Sequence, residues 1–252
     1  GDDNTTVTAA ELNTINDATS VAIDLTNVTS IGTSNIADLS TMNTGIAGFS
    51  NTGGIVAIDI TDGGDGSGDV DFTDLDPVID AYYARNNNVA FTLQSADTLL
   101  IGSSGEVTDL LTHIGANDNL QLSNQLITVD SGVGLSAANA KTIAADTTGT
   151  VTATIATSAR VADLTELRQP NAGVNETNAF TIVISSDDAS SSAANLNTIN
   201  DATSLAVDAS AVTTVSSSTM AAVGTLLTSG VATTPREFTA GSFASMTSLT
   251  VS

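Results

Sequence analysis

A nine-residue segment occurs twice in the chain without a single change, and this duplication limits the available folds more than any other feature. Leu12–Ser20, with the sequence LNTINDATS, returns 184 residues later as Leu196–Ser204. The similarity continues at the same offset, where the matching segments are Val21–Asp24 with Leu205–Asp208 and Val28–Ile31 with Val212–Val215. A match of this length indicates internal duplication, so the chain is interpreted first as a repeat protein.

Short runs of aliphatic residues predict strands throughout the chain. They begin at Val21, Ile55, Val89, Leu126, Val151, Phe180, Leu205 and Leu249. Most runs follow a short helix signal, in which a Ser, Thr or Asp cap precedes apolar residues at three- and four-residue spacing. Such signals occur at Thr8–Leu12, Ser136–Ala140 and Ser192–Leu196. Thr8 and Glu11 also fit a capping box, in which each side chain bonds the backbone N–H of the other residue.

One unit of helix and strand, about 25–35 residues long, is too small to bury its own apolar side, whereas stacked units bury a continuous core. We therefore predict a right-handed α/β solenoid over residues 1–252, with one parallel sheet on one face and short helices on the other. It has roughly eight rungs and resembles leucine-rich repeats in layout. A compact two-layer α/β domain and a β-solenoid are the alternatives.

The composition excludes several functional classes. Asp and Glu number 28 against 5 Lys and Arg, which gives a net charge of −23. Nucleic-acid binding depends on basic contacts with phosphate, so we expect no nucleic-acid partner. Cysteine is absent, which excludes a thiol nucleophile, disulfides and thiolate metal sites. No apolar run approaches the roughly 20 residues of a membrane span, and the acidity favours an extracellular setting where salt or divalent cations supply counter-charge.

An acidic run between Asp62 and Asp74 resembles the calcium loop of EF-hands and dockerins. With Asp74 at position 12 of that loop, Val70 takes the apolar position 8 and Gly68 takes the glycine position 6. The resemblance implies a Ca²⁺ site, within an insertion at 62–85, whose ligands are Asp62, Asp65, Ser67, Asp69, Asp71 and Asp74. Gly63 falls at position 1, where a ligand belongs, and Asp62 lies one residue early. A solvated glycine–aspartate turn is the alternative.

The segment after this loop, Leu75–Ala84, is predicted to be the exiting helix, with Pro77 in its first turn. Four aspartates fall at equivalent strand positions and would form an acidic ladder if the strands stack in register: Asp24, Asp59, Asp130 and Asp208. Because like charges in adjacent strands repel, such a ladder would favour a divalent ion or a positive partner; solvated carboxylates without a role are the alternative. His113, the single histidine, is expected at the C-terminus of a helix rather than in catalysis.

Over residues 8–40 and 192–228, the repeated sequence resembles repeats of very large bacterial surface proteins, in particular those of marine cyanobacteria. The resemblance implies secretion, calcium dependence and a structural or adhesive role. We therefore expect an extracellular structural protein without enzymatic activity, a solenoid subunit or segment of a surface filament, surface layer or giant adhesin stabilised by calcium. Its partners would be further copies joined head to tail, or flanking repeats of a longer chain. The alternatives are a glycan- or surface-binding module, including a phage fibre, and a polysaccharide-processing enzyme.

Overall fold

A computed structural model describes residues 6–61, 69–93, 98–114, 119–167, 178–231 and 238–252. These residues contain eight α-helices: α1 (Ala9–Asp17), α2 (Ile36–Thr44), α3 (Phe72–Tyr83), α4 (Ser104–Ile114), α5 (Ala137–Asp146), α6 (Val161–Leu164), α7 (Ala193–Asn200) and α8 (Met220–Val231). The strands are β1 (Thr6–Val7), β2 (Ile23–Asp24), β3 (Ser30–Ser34), β4 (Phe49–Ser50), β5 (Ala57–Ile60), β6 (Asp69–Asp71), β7 (Ala90–Leu93), β8 (Thr98–Ile101), β9 (Leu120–Gln121), β10 (Leu126–Val129), β11 (Val151–Thr154), β12 (Ala179–Thr181), β13 (Ser190–Ser192), β14 (Thr214–Ser218) and β15 (Ser248–Val251).

The chain divides into two compact units. Unit 1 comprises Gly1–Ile127 and Asp146–Thr148, and unit 2 comprises Thr128–Ala145 and Gly149–Ser252. The division falls within β10. The prediction of one continuous solenoid over residues 1–252, with an insertion at 62–85, is not tested by this division and stays a prediction.

Parallel strands alternate with helices in unit 1. Its main sheet has the order β1-β3-β5-β7-β9, and every neighbouring pair is parallel. Because parallel neighbours need a crossover connection, one helix lies between each pair along the chain, and α1, α2, α3 and α4 pack against one another in that order. Two further parallel pairs are formed by β2 with β4 and by β6 with β8.

Unit 2 contains the second copy of the duplicated segment in the same arrangement. Strands β13, β14 and β15 form a parallel sheet, with α7 and α8 as its crossovers. Helix α6 packs against α7, and α7 packs against α8. Strand β11 pairs in parallel with β12. Isolated parallel bridges join Leu135 to Ile155, Val183 to Asp208 and Val207 to Phe238.

The predicted α/β class with parallel strands is confirmed, and a two-layer α/β arrangement is compatible with these pairings. The prediction of a single sheet is wrong, because a repeat contributes more than one strand: β2 and β3 both lie between α1 and α2 and belong to different sheets. Regular helices throughout the described residues do not fit the β-solenoid alternative. Among those residues, no helix has the length and apolar character needed to cross a membrane.

The predicted helix starts are confirmed by their caps. The Thr8 hydroxyl accepts a hydrogen bond from the Glu11 N–H at 3.2 Å, and the Glu11 carboxylate accepts one from the Thr8 N–H at 3.0 Å, which completes the capping box. Ser136 and Ser192 cap α5 and α7 by accepting from the N–H three residues on. Pro77 is not in a first turn, however, because α3 already begins at Phe72 and places the proline in its second turn.

Candidate functional site

A buried serine joins consecutive repeats at the same place in both copies. The Ser34 hydroxyl accepts a hydrogen bond from the Ala9 N–H at 2.9 Å and donates one to the Gly32 carbonyl at 2.7 Å. In the second copy, the Ser218 hydroxyl accepts from the Ala193 N–H at the same distance of 2.9 Å. The first N–H groups of a helix have no partner within the helix. Here the following repeat supplies an acceptor.

A second bond between repeats comes from the duplicated nine residues themselves. The side-chain amide of Asn13 on α1 donates to the Asp38 carbonyl of α2 at 2.9 Å. Its counterpart Asn197 on α7 donates to the Ala222 carbonyl of α8 at 3.0 Å. The serine and asparagine bonds therefore form a set that ties each copy to the repeat after it.

The two copies differ on the side that faces the preceding repeat. Ile15 in α1 is 51% exposed, whereas the equivalent Ile199 in α7 is 0% exposed. Helix α6 packs against α7 in unit 2, and the Thr203 hydroxyl donates to the Phe180 carbonyl at 2.7 Å. Since the two sequences are identical here, the difference in burial is caused by the covering neighbour and not by the residues. Val21, just beyond the first copy, is 73% exposed.

A second uncovered apolar surface lies on β15. This strand pairs with β14 as β5 pairs with β3, in the same register and with an irregularity at the same place. Leu249 and Val251 of β15 are 41% and 42% exposed, whereas their counterparts Ile58 and Ile60 of β5 are both 0% exposed. In unit 1, β7 pairs with β5 and covers those positions.

The helix beside β15 is uncovered in the same way. Met220, the first residue of α8, is 70% exposed, whereas the equivalent Ile36 of α2 is 3% exposed. Helix α2 packs against α3 as well as α1. Between α8 and β15 lies an open apolar groove of about 300 Å³, lined mainly by Val215, Val223, Leu226, Leu227, Phe243 and Leu249.

The predicted calcium ligands fall into two groups. Asp62, Asp65 and Ser67 lie outside the described residues. Asp69 and Asp71 belong to β6, and Asp74 lies in the first turn of α3. The Asp71 carboxylate accepts a hydrogen bond from the Thr73 N–H at 2.9 Å and so caps α3, while Asp71 and Asp74 are exposed. Val70 is fully buried, as its apolar position in the loop predicts; the calcium site itself stays a prediction.

His113 takes part in a contact that the sequence does not reveal. Its Nε2 lies 2.8 Å from the Asp76 carboxylate and 3.9 Å from that of Asp80, which follows one turn later on α3. The imidazole is buried and its ring centre lies 6.2 Å from that of Phe72. His113 and Asp76 are 37 positions apart in the sequence, which hides this pair from any local pattern. The i, i+4 spacing of Asp76 and Asp80 does predict that both lie on one helix face.

The same three side chains are a geometric candidate for a metal ion. Their ligand atoms all lie within 4.8 Å of one another. One imidazole with two carboxylates suits a transition metal better than calcium, which takes six to eight oxygens. The group is an ion-pair network and does not indicate Ca²⁺.

The predicted ladder of aspartates does not form where registers are defined. Asp59 lies beside Thr92, and Asp24 lies beside Ser50. The Asp24 carboxylate instead accepts hydrogen bonds from the Asn51 amide and from the hydroxyl and N–H of Thr26. These bonds lower its pKa, with the Asn51 amide making the largest contribution. Asp24 therefore closes a turn at the end of its strand rather than contributing to a row of like charges.

Comparison with known proteins finds no relative of the chain. No protein-family model, curated protein or solved structure matches the chain. The functional interpretation therefore rests on the bonds between repeats, the uncovered apolar surfaces and the group around His113.

Proposed function

We propose that the protein is an extracellular structural protein, a right-handed α/β solenoid subunit or segment of a surface filament, surface layer or giant adhesin. The observation that carries the proposal is that both copies of the duplicated segment bond the following repeat through the same atoms. Ser34 with Ala9 recurs as Ser218 with Ala193, and Asn13 with Asp38 recurs as Asn197 with Ala222. A stacking step that recurs in this way can extend an array without limit, and extended length is what a structural repeat protein supplies.

The strand order supports a solenoid over a compact two-layer domain. Along β1-β3-β5-β7-β9, each strand pairs with the strand of the next repeat and with no distant one. The helices follow the same nearest-neighbour order from α1 to α4 and from α6 to α8. Contacts restricted to neighbouring repeats are typical of solenoids. The eight described helices agree in number with the roughly eight rungs of the proposal.

The chemistry of the chain supports a role without catalysis. Its single histidine is held in an ion pair with Asp76, and it has no cysteine. A nucleophile of the serine–histidine type needs the imidazole to face a hydroxyl, whereas His113 faces two carboxylates and a phenyl ring. The proposed function therefore includes no enzymatic activity.

Calcium and an extracellular location belong to the same proposal. A net charge of −23 is better tolerated where salt or divalent ions screen self-repulsion. The proposed Ca²⁺ ligands remain Asp62, Asp65, Ser67, Asp69 and Asp71, which precede α3, and Asp74 in its first turn. The helices that pack against α3 are α2 and α4. An ion bound there would order the connection into the helix layer.

The proposed partners are further repeats, supplied by another copy or by flanking sequence. Sedimentation velocity and negative-stain electron microscopy of the chain in millimolar calcium, over rising protein and salt concentrations, test this. We expect species of increasing length and uniform width. A monomer at every protein concentration, in calcium and in high salt, would contradict the proposal that the chain is an assembling subunit.

A further inference from the structure

Three side chains meet between two consecutive helices of unit 1, and each presents one ligand atom to a common point. Nε2 of His113 lies 2.8 Å from a carboxylate oxygen of Asp76 and 3.9 Å from one of Asp80, and all three atoms lie within 4.8 Å of one another. Two ligands that share a tetrahedral zinc ion, each about 2.1 Å from it, are about 3.4 Å apart. The two observed distances lie on either side of that value, so one ion can reach all three atoms after small rotations of the carboxylates.

We infer that Asp76, Asp80 and His113 form a binding site for a divalent transition-metal ion, and that Zn²⁺ is the ion that fits it best. The imidazole nitrogen decides the class of metal, because Ca²⁺ and Mg²⁺ prefer oxygen ligands whereas nitrogen suits zinc, copper, nickel and iron. Among these metals, Zn²⁺ has no geometric preference from its d electrons and accepts imidazole together with carboxylates. The site shares no ligand with the proposed calcium loop, so the two sites can be tested separately.

The two helices hold the ligands in place before any ion binds. Asp76 and Asp80 are one turn apart on α3 and therefore lie on one face of the helix, the same spacing by which other helices supply two ligands to one zinc ion. The Thr73 hydroxyl donates to the Glu106 carboxylate at 3.1 Å, and this pair has the same offset along the sequence as Asp80 and His113. Helices α3 and α4 therefore run parallel in a fixed register, and ligands that are already ordered lose less conformational entropy when an ion binds.

An ion at this position would also balance the local charge. The two carboxylates carry two negative charges, and an imidazole that coordinates a metal is neutral. Among the described residues, neither Asp76 nor Asp80 forms an ion pair with lysine or arginine. The side chains of His113 and Asp76 are only 7% and 26% exposed, and charge that is withdrawn from water needs a partner. One divalent cation supplies two positive charges at the point where both carboxylates meet.

The site would join one repeat to the next. Two of its ligands belong to α3 and the third belongs to α4, so the ion would link two helices that pack against each other. The Asp80 side chain is 69% exposed, which leaves an open side where the ion can enter and water can complete its coordination. Because the ion binds this arrangement only in the folded chain, it stabilises the contact between α3 and α4 by mass action.

The single histidine of the chain makes the site directly observable, because its imidazole gives one set of ring signals in NMR spectra. The ¹⁵N-labelled protein is kept in millimolar Ca²⁺ and Mg²⁺, which occupy sites built from oxygen ligands alone, and is then titrated with Zn²⁺. We expect one molar equivalent of Zn²⁺ to shift the Nε2 signal of His113. Calorimetry in the same buffer should show Zn²⁺ binding that is at least tenfold weaker in Asp80→Asn. Asp17→Asn, which removes an exposed carboxylate from the end of α1, is the matched control and should bind Zn²⁺ as the wild type does.

His113→Gln removes the nitrogen ligand and should abolish this binding. If circular dichroism shows that the variant is unfolded, Asp80→Asn carries the test, because its side chain is largely exposed. Zn²⁺ binding that leaves the imidazole signal unchanged would overturn the site, since other carboxylates would then hold the ion. Equal affinities in Asp80→Asn and Asp17→Asn would overturn it as well, and so would the absence of Zn²⁺ binding. None of these results bears on the proposed structural role, which sedimentation tests.

Discussion

The backbone N–H of Ala9 donates a 2.9 Å hydrogen bond to the buried hydroxyl of Ser34, and these two residues belong to consecutive repeats. Thr8 caps the helix from its own repeat by accepting from the Glu11 N–H, and Ser34 supplies the acceptor for the N–H of Ala9, so the end of one helix is completed by the next repeat. The equivalent bond from Ala193 to Ser218 shows that this is a property of the repeat and not of one position.

Replacing this serine is expected to destabilise the fold in both copies. Ser34→Ala removes the acceptor of a buried N–H, which costs about 1–3 kcal/mol in the free energy of unfolding. Ser218→Ala is expected to cost a similar amount. Ser40→Ala, at an exposed position on α2, is the matched control and should change stability by less than about 0.5 kcal/mol. Urea denaturation followed by circular dichroism measures all three. A Ser34→Ala variant with the same free energy of unfolding as the wild type would contradict a stabilising role for this bond.

The duplicated isoleucine provides a comparison in which the local sequence is held constant. Ile199→Ala leaves a cavity in a closed environment and is expected to cost about 2–5 kcal/mol. Ile15→Ala, in the same nine residues but half exposed in the isolated chain, should cost less than about 0.5 kcal/mol in dilute solution. Equal losses from the two variants would show that Ile15 is already covered within the chain.

The capping box of α1 gives a pH-dependent contribution to stability that α7 lacks. Hydrogen bonds from the backbone and then the hydroxyl of Thr8 lower the pKa of Glu11 below its usual 4.5. The folded chain therefore binds this proton less readily than the unfolded chain, so the contribution is present above the ordinary pKa and is lost as pH falls through the lowered value.

In α7 the equivalent residue is the uncharged Asn195, whose N–H bonds Ser192. Glu11→Gln should therefore remove part of the acid dependence of unfolding, and Asn195→Ala should leave that dependence unchanged. Unfolding by urea at pH values on both sides of 4.5 measures the effect. An acid dependence that is identical in the wild type and in Glu11→Gln would contradict this assignment.

The ion pair between α3 and α4 is expected to depend on one carboxylate far more than on the other. Asp76→Ala leaves the buried imidazole of His113 without its 2.8 Å partner and should cost about 1–3 kcal/mol. Asp80 is largely exposed and lies 3.9 Å from the same nitrogen, so Asp80→Ala should cost less than about 0.5 kcal/mol. Comparable losses would indicate that the two carboxylates act together, and added Zn²⁺ should then raise the melting temperature.

Calcium removal tests the predicted loop. A ligand at one hundred times its dissociation constant stabilises the folded chain by about 2.7 kcal/mol, so chelation should lower the melting temperature of the wild type. Asp65→Ala should abolish this response, whereas Asp109→Ala, which removes an exposed carboxylate from α4, should retain it. Melting that is unaffected by chelation, with no metal bound in native mass spectrometry, would remove the calcium claim.

Local patterns predicted the elements of the fold well and their partners less well. The strand starts expected at Leu126 and Val151 coincide with β10 and β11, and Thr8 caps α1 as expected. These features depend on side chains within one turn or one strand, where periodicity and capping are informative. The division of each repeat among several sheets was not predicted. The run predicted from Val21 contains β2, whereas β3, with the sequence SIGTS, has a single large apolar residue and gives no strand signal.

Contacts between repeats were not predicted either, because they join residues that are far apart in the sequence. The bond from Ala9 to Ser34 spans 25 residues and uses a serine that in sequence resembles many others. The pair of His113 with Asp76 spans 37 residues and depends on how α3 packs against α4. The duplicated segment itself was visible at once, but only the structure shows that one copy is covered and the other is not.

Hydrogen exchange at the two copies tests the central claim most directly, because identical sequences have nearly identical intrinsic exchange rates. Proteolytic peptides that include the residues on either side of each copy differ in mass, so mass spectrometry distinguishes Leu12–Ser20 from Leu196–Ser204. In dilute, low-salt solution, we expect the first copy to exchange at least ten times faster, since local opening is easier where fewer neighbours cover the backbone. At high protein concentration and high salt, the two rates should converge as a second copy covers α1. Equal rates in dilute solution, or a difference that persists when the chain has assembled, would contradict the account.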